Sequence, residues 1–229
     1  MEKYVSDIDK QEDGSLILSA VQAVAISPDS ARELVARYKG QISSSNPNPT
    51  TKEVNDAVID KIISRYAKLA AGSGATTSLA GVIPGVGTAV AALGGGFADI
   101  VTCMKLQVDM TMCLCMAINN EVTDEDARHM TFYIAVAGSL EQVASGAGSQ
   151  AAAKAAAKVV GNALKGATLQ TIKQLFKQLG ITFTKKAAMR VIPFGIGVVI
   201  SAGANYALTN FVGSVARDVL MAEHKPAIT

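Results

Sequence analysis

The sequence predicts an all-α fold, a helical bundle of hairpins in which two long apolar helices follow Pro/Gly elbows. Hydrophobic residues make up 49% of the 229-residue chain, whereas charged residues make up 17% and aromatic residues only 5%. The apolar content is therefore mostly Ala, Val, Leu, Ile and Met, which suits close packing of helices. Apolar residues recur at helical spacing between capping motifs, and no segment has a convincing strand pattern.

Residues 1–49 are predicted to form a helical arm and a linker. The apolar segment Leu16–Ile26 is long enough for one short helix. The dipeptide Ser27–Pro28 suits the N-cap and first position of a second helix. The loop Ser43–Pro49 ends that helix and separates the arm from a larger helical domain, residues 50–229.

The larger domain opens with a capping box. Thr50 is followed three residues later by Glu53, so each is placed to bond the other's backbone N–H. Apolar residues then recur every three or four positions, which predicts one amphipathic helix face. That face consists of Val54, Val58, Ile62, Tyr66 and Leu69.

Four further helices are predicted along the chain. Ala98–Asn119 is apolar almost all round, and Thr123 caps the helix after it. Three acidic residues in the first turn of that helix complement its dipole, and we interpret them as capping rather than metal binding. Ala151–Lys165 and Thr168–Leu179 follow, the second ending at Gly180.

Two long uncharged stretches, Leu69–Ala98 and Val191–Ala216, contain related segments. Val82–Gly87 reads VIPGVG, and Val191–Gly197 reads VIPFGIG. Pro disfavours helix at the residue before it, and Gly permits a bend, so each segment is predicted to be an elbow that starts a new apolar helix. The elbow residues are Pro84, Gly85, Gly87, Pro193, Gly195 and Gly197.

The elbows favour a buried or membrane-dipping hairpin over two other structures. Neither has the glycine and lysine pattern of a phosphate-binding loop. A transmembrane span needs about 20 apolar residues. Pro84 and Gly94–Gly96 divide the first stretch into shorter pieces, and four Ser and Asn residues interrupt Phe194–Ala216.

The elbow, the segment Gly96–Asn120 with Asp99 two residues after Phe97, and the helix start Thr123–Arg128 together resemble the EcsC family. The resemblance spans roughly Lys52–Arg217 and extends to the related helical domain attached to some bacterial GTPases, although this chain has no GTPase domain. It implies an all-helical, membrane-associated bacterial protein, from a family named for a gene beside an ABC transporter. It implies no catalytic residues.

A strip of four polar residues lies on the otherwise apolar helix Ala98–Asn119. Charges in apolar surroundings are costly and need a partner or a role. One interpretation is an internal ion pair at i+4 spacing, and the other is a buried polar site between helices. The strip consists of Asp99, Thr102, Lys105 and Asp109.

Charge is distributed unevenly along the chain. No acidic residue lies between Glu141 and Asp218. This basic half is expected to attract an anionic membrane surface, or to pair with the protein's own acidic half. The lysine-bearing helices resemble either interfacial helices or the solvated outer face of a bundle. The residues predicted to bind an anionic surface are Lys154, Lys158, Lys165, Lys173, Lys177, Lys185, Lys186 and Arg190.

The remaining residue types indicate no catalysis. Three Cys without CxxC spacing predict buried, reduced thiols rather than a disulfide or zinc site, and so a cytosolic protein. His129 has no metal-ligand partner at suitable spacing, and the polar N-terminus does not resemble a signal peptide. We therefore expect no enzyme activity, no metal, no cofactor and no small-molecule substrate. Without stacking aromatics or a recognition motif, we expect no nucleic acid either.

These observations predict an EcsC-like protein that docks on the cytosolic face of an anionic membrane and assists a membrane or transport process. Its partner would be the lipid surface, with a membrane protein or further copies of itself as additional candidates. Two alternatives remain open at this stage. One is a pore-forming effector whose apolar hairpins insert into the bilayer, and the other is a soluble protein that assembles with itself or a partner.

Overall fold

The computed structural model describes residues 16–45, 48–73, 98–146, 149–189 and 202–224. These residues form eight α-helices and no strand, which confirms the predicted all-α bundle. The helices are α1 (16–24), α2 (Pro28–Ser45), α3 (Thr51–Ser73), α4 (Ala98–Ile118), α5 (Asp124–Ser145), α6 (Gln150–Leu164), α7 (Leu169–Met189) and α8 (Ala202–His224).

Helix α4 lies at the centre of the bundle. It packs against α2, α3, α5 and α8, and α8 in turn packs against α3, α5 and α6. Among the described helices, Ile100–Ile118 is the one stretch long and apolar enough to cross a membrane, with a mean hydropathy of 1.4. Because 94% of that stretch is buried inside the protein, its apolar surface is already covered by other helices.

Hydrogen bonds confirm the predicted caps Ser27, Thr50 and Thr123, and Ser149, which was not predicted, caps α6 in the same way. Ser27, Thr123 and Ser149 each accept, through the side-chain oxygen, the backbone N–H three residues on, at 3.2 Å in all three cases. The capping box is reciprocal: the Thr50 N–H donates to Glu53 Oε2 at 2.8 Å, and the Glu53 N–H donates to Thr50 Oγ1 at 3.3 Å. Side-chain acceptors thus satisfy backbone donors that a helix start leaves unpaired.

Helix α2 extends past its predicted end. Ser43, where a loop was expected to begin, lies inside the helix, which continues to Ser45. The hydroxyls of Ser44 and Ser45 donate to the carbonyl oxygens of Gly40 and Gln41, at 2.9 and 2.8 Å. Serines that would compete with the helix elsewhere instead bond back to the preceding turn.

The prediction that Gly180 ends a helix is wrong, because α7 continues through it to Met189. A Cβ at Gly180 would lie 3.1 Å from Ile17 Cδ1 of α1. The close approach of a neighbouring helix, and not a turn, therefore accounts for a glycine at this position.

The N-terminal arm shares the core of the larger domain. Ile17 and Val21 of α1 and Val35 of α2 are at most 4% exposed and belong to the same cluster of buried residues as the α4 side chains. Apolar packing continues across residue 49, and the domain boundary placed there stays a prediction. The six elbow residues, Pro84, Gly85, Gly87, Pro193, Gly195 and Gly197, lie outside the described residues.

Among the described glycines, Gly213 of α8 has the closest neighbouring side chains. A Cβ there would lie 3.0 Å from both Cγ1 and Cγ2 of Ile63 in α3, and 3.1 Å from Met110 Sδ in α4. The absent side chain thus lets α8 contact two helices at once. Gly138 of α5 also faces α8, with Val212 and Val215 at ordinary contact distance of its Cβ position.

We expect Gly213→Ala to lower the free energy of unfolding by about 1–3 kcal/mol, because the added methyl group overpacks the α3–α4–α8 crossing. Gly40→Ala is the matched control, since its Cβ position in α2 has no neighbour within 4 Å. The control should raise stability by about 0.4–1 kcal/mol through helix propensity and a less flexible unfolded chain. Urea denaturation measures both, and equal effects of the two substitutions would contradict the close crossing.

Candidate functional site

Helix α4 carries a buried ion pair. Lys105 and Asp109 are only 7% and 5% exposed, and the Lys105 ammonium contacts Asp109 Oδ2 as expected for i+4 spacing. The other carboxylate oxygen, Asp109 Oδ1, accepts the backbone N–H of Ile26 at 2.8 Å. The pair therefore connects the central helix to the turn between α1 and α2, and both carboxylate oxygens are satisfied.

Titratable side chains of α3 and α4 lie beside this pair. Burial raises the pKa of the Asp109 carboxyl, while the Lys105 ammonium and the Ile26 N–H oppose that shift. The Tyr66 hydroxyl lies 3.7 Å from Cys113 Sγ, and burial raises the pKa of both groups, that of Cys113 to about 12. All of these shifts come mainly from desolvation, which disfavours the charged form of a carboxyl, a phenol or a thiol.

A second polar cluster joins α4 to α5. Gln107 and Ser139 are fully buried, with the Ser139 hydroxyl against the Gln107 side-chain amide. The Ser139 hydroxyl also lies 2.7 Å from the Ala135 carbonyl oxygen, and the Gln107 amide lies 3.4 Å from Cys103 Sγ. Buried polar groups with partners on two helices fix how those helices align.

The predicted polar strip is thus only partly a buried feature. Lys105 and Asp109 are buried and paired, whereas Thr102 is half-buried. The side chain of Asp99 lies outside the described residues. Of the two interpretations of the strip, the internal ion pair is the one present in the structure.

The lysine-bearing helices turn their apolar sides into the core. Ile172, Phe176 and Leu179 of α7 are at most 3% exposed, and α6 buries its own apolar side in the same way. This packing corrects the interfacial-helix interpretation, because an apolar face that already packs on α5 cannot also enter a lipid headgroup layer. The helices form the outer face of a bundle.

The basic side chains of α6 and α7 remain available on the surface. Lys154, Lys158, Lys165 and Lys173 are exposed, and Lys177 is half-buried. None of these five is within ion-pair distance of a carboxylate of the described residues. Among the described residues, direct pairing with the acidic half of the chain, the simplest alternative to an external partner, is therefore not found for these lysines. The side chains of Lys185 and Lys186, and the whole of Arg190, lie outside the described residues.

A second basic surface, which the sequence analysis missed, lies on α3. Lys61, Arg65 and Lys68 line an open groove of about 430 Å³ together with Ser64 and Leu69. The spacing of the three cations at i, i+4 and i+7 is readable in the sequence. The sequence prediction for α3 named only its apolar face and not these cations. Leu69, which was predicted to belong to the apolar face, is 39% exposed at the groove.

The acidic first turn of α5 and the histidine near it have structural roles. Arg32 of α2 donates to Asp124 Oδ1 at 2.8 Å, so α2 is linked to the start of α5. His129 Nε2 lies 3.0 Å from the Ala167 carbonyl oxygen in the turn between α6 and α7. No group of three His, Cys, Asp or Glu in the described parts of the chain could hold a metal ion.

Removing one member of the buried ion pair should cost far more than removing both. We expect Lys105→Met and Asp109→Asn each to lower the free energy of unfolding by about 3–5 kcal/mol, because each leaves an unpaired buried charge. The double variant should recover most of that loss, since an amide oxygen at position 109 still accepts the Ile26 N–H. Additive losses in urea denaturation would show that the two charges do not interact.

The cysteine thiols should be protected from alkylation in the folded protein. Cys103, Cys113 and Cys115 are all buried, and burial raises the pKa of Cys115 to about 11 and that of Cys113 to about 12. At pH 8 iodoacetamide should react about a hundredfold more slowly with native than with denatured protein, because the thiolate is the reactive form. Rapid native labelling of one thiol, detected by mass spectrometry, would contradict this burial.

Comparisons with known proteins identify no relative of this chain: no family model, no curated protein and no solved structure matches it. The chain's own residues and their geometry therefore have to support the functional proposal.

Proposed function

We propose that this protein is a non-enzymatic accessory protein that docks peripherally on an anionic membrane face through the lysines of α6 and α7. The observation that carries the proposal is that four of these lysines are exposed and that none of the five described ones is within ion-pair distance of a described carboxylate. An anionic leaflet attracts such residues with about 1 kcal/mol for each lysine near its surface.

The charges of α6 and α7 reinforce one another. The two helices and the turn between them, which holds Lys165, contain seven lysines and no acidic residue. Lys154 and Lys158 are one helical turn apart on α6, as are Lys173 and Lys177 on α7. A region with one sign of charge attracts a surface of opposite sign over about one Debye length, roughly 8 Å at physiological salt.

The packing favours electrostatic docking over insertion. The apolar sides of α6 and α7 are in the core, and α4 is enclosed by four helices. Among the described side chains of these two helices, Val159 and Leu169, each 54% exposed, are the large apolar ones that could add contact with lipid. The free energy of binding would then come mainly from charge, so added salt should weaken it.

The resemblance to the EcsC family supports a membrane-associated role in bacteria. Three buried, unbridged cysteines are consistent with a reducing compartment, so the cytosolic leaflet is the surface we propose. Bacterial cytosolic leaflets present phosphate-bearing lipids, and lysine ammonium groups match that chemistry. Because the sequence indicates no catalytic residues, we propose that the docked protein has an accessory role in a membrane or transport process.

Flotation with neutral and anionic liposomes tests this proposal. Binding should require anionic lipid and should fall as salt is raised. Lys154→Gln, Lys158→Gln and Lys173→Gln combined should weaken partition to anionic liposomes by more than a hundredfold, since three contributions of about 1 kcal/mol are lost.

The matched control removes the same charge elsewhere. Arg37→Gln, Lys39→Gln and Arg128→Gln combined alter three cations outside α6 and α7 and should leave partition nearly unchanged. Equal losses in the two triple variants would mean that only net charge matters and would contradict a docking face on α6 and α7. Binding that resists added salt would contradict peripheral docking and indicate insertion. Absence of binding to both neutral and anionic liposomes, at low and at high salt, would exclude membrane association.

A further inference from the structure

The α3 groove presents three cations in one place. Lys61, Arg65 and Lys68 lie at i, i+4 and i+7 and line the same concave surface. In the described part of the chain, none of the three is within ion-pair distance of a carboxylate. Like charges at this spacing repel one another, and a bound anion would relieve that repulsion.

Two of the cations are held in position by α2. The Arg65 guanidinium donates to the hydroxyl of Tyr38, which is itself only 5% exposed. The Lys61 ammonium lies 4.8 Å from the centroid of the Tyr38 ring and donates to Gln41 Oε1 at 2.9 Å. Side chains already fixed before binding lose less conformational entropy when a ligand arrives. Lys61 and Arg65 are therefore arranged before a ligand binds.

We propose that this groove binds a phosphomonoester. A guanidinium fork and two ammonium groups match a dianionic phosphate in charge and number of donors, and Ser64 can supply a hydroxyl. Leu69, exposed to the groove, offers an apolar contact for the organic part of the ester.

The groove is independent of the lysine surface proposed for membrane docking. It lies on α3, which packs against α2, α4 and α8, whereas the lysines lie on α6 and α7. The phosphate source is either a soluble ester or the monoester headgroup of a lipid, and the two share the same recognition chemistry. Variants of one surface leave the other intact, so the two proposals fail separately.

Isothermal titration calorimetry with phenyl phosphate tests the groove, with inorganic phosphate as the ligand lacking an apolar part and phenol as the ligand lacking charge. Wild type should bind phenyl phosphate best and phenol not at all. Lys68→Gln should weaken binding about tenfold, and Arg65→Lys should do so as well because it keeps the charge but loses the fork. Arg37→Gln, an exposed α2 cation that does not line the groove, should bind like wild type.

Liposomes separate the two sources of phosphate. Phosphatidic acid carries a phosphomonoester, whereas phosphatidylglycerol carries a diester, and the two can be matched for surface charge. Loss of a preference for phosphatidic acid in Lys68→Gln, without soluble binding in wild type, would support a lipid headgroup in the groove. Soluble binding that Lys68→Gln and Arg65→Lys weaken would support a soluble ester. The proposal is overturned if both groove variants match Arg37→Gln with every probe while remaining folded by circular dichroism.

Discussion

Enclosure of α4 by four other helices is the constraint on which the described structure depends. Because almost the whole surface of α4 is buried, its polar side chains cannot bond water and need partners inside the protein. Lys105 and Asp109 satisfy that requirement together, and the second carboxylate oxygen takes the Ile26 N–H. The hydrogen bond from Ile26 links the turn between α1 and α2 to Asp109. The ion pair of the central helix therefore also helps to position α1 and α2.

The small residues of the chain make this enclosure possible. Gly213 places α8 against both α3 and α4, and Gly180 places α7 against α1. Methionine complements these rigid contacts, since Met104, Met110, Met112 and Met116 fill the irregular spaces around α4 with flexible, polarisable side chains. A composition rich in Ala, Gly and Met and poor in aromatics is therefore the composition of a tightly crossed helix core.

The apolar sides of α3, α6 and α7 lie in the core, and their cations lie on the outside of the bundle. These cations form two separate surfaces. On α6 and α7 they are spread over two helices, a distribution suited to a broad charged plane such as a lipid leaflet. On α3 they line one groove, and Tyr38 and Gln41 of α2 hold two of them, an arrangement suited to a compact anion. If both proposals hold, one protein would combine a general attraction to anionic lipid with selection of one phosphate group.

The sequence by itself determined the helices, most of their starts and the position of the buried ion pair, because caps, apolar periodicity and i+4 spacing act over a few residues. The lysines of α6 and α7 were also visible in it, although whether they pair with the acidic half was not. Tertiary structure alone decided that Gly180 lies inside a helix, that the apolar side of α7 faces the core, and that the α3 cations share a groove with Tyr38. Each of these depends on contacts between residues distant in the chain, such as Ile17 with Gly180, and such contacts leave no local pattern to read.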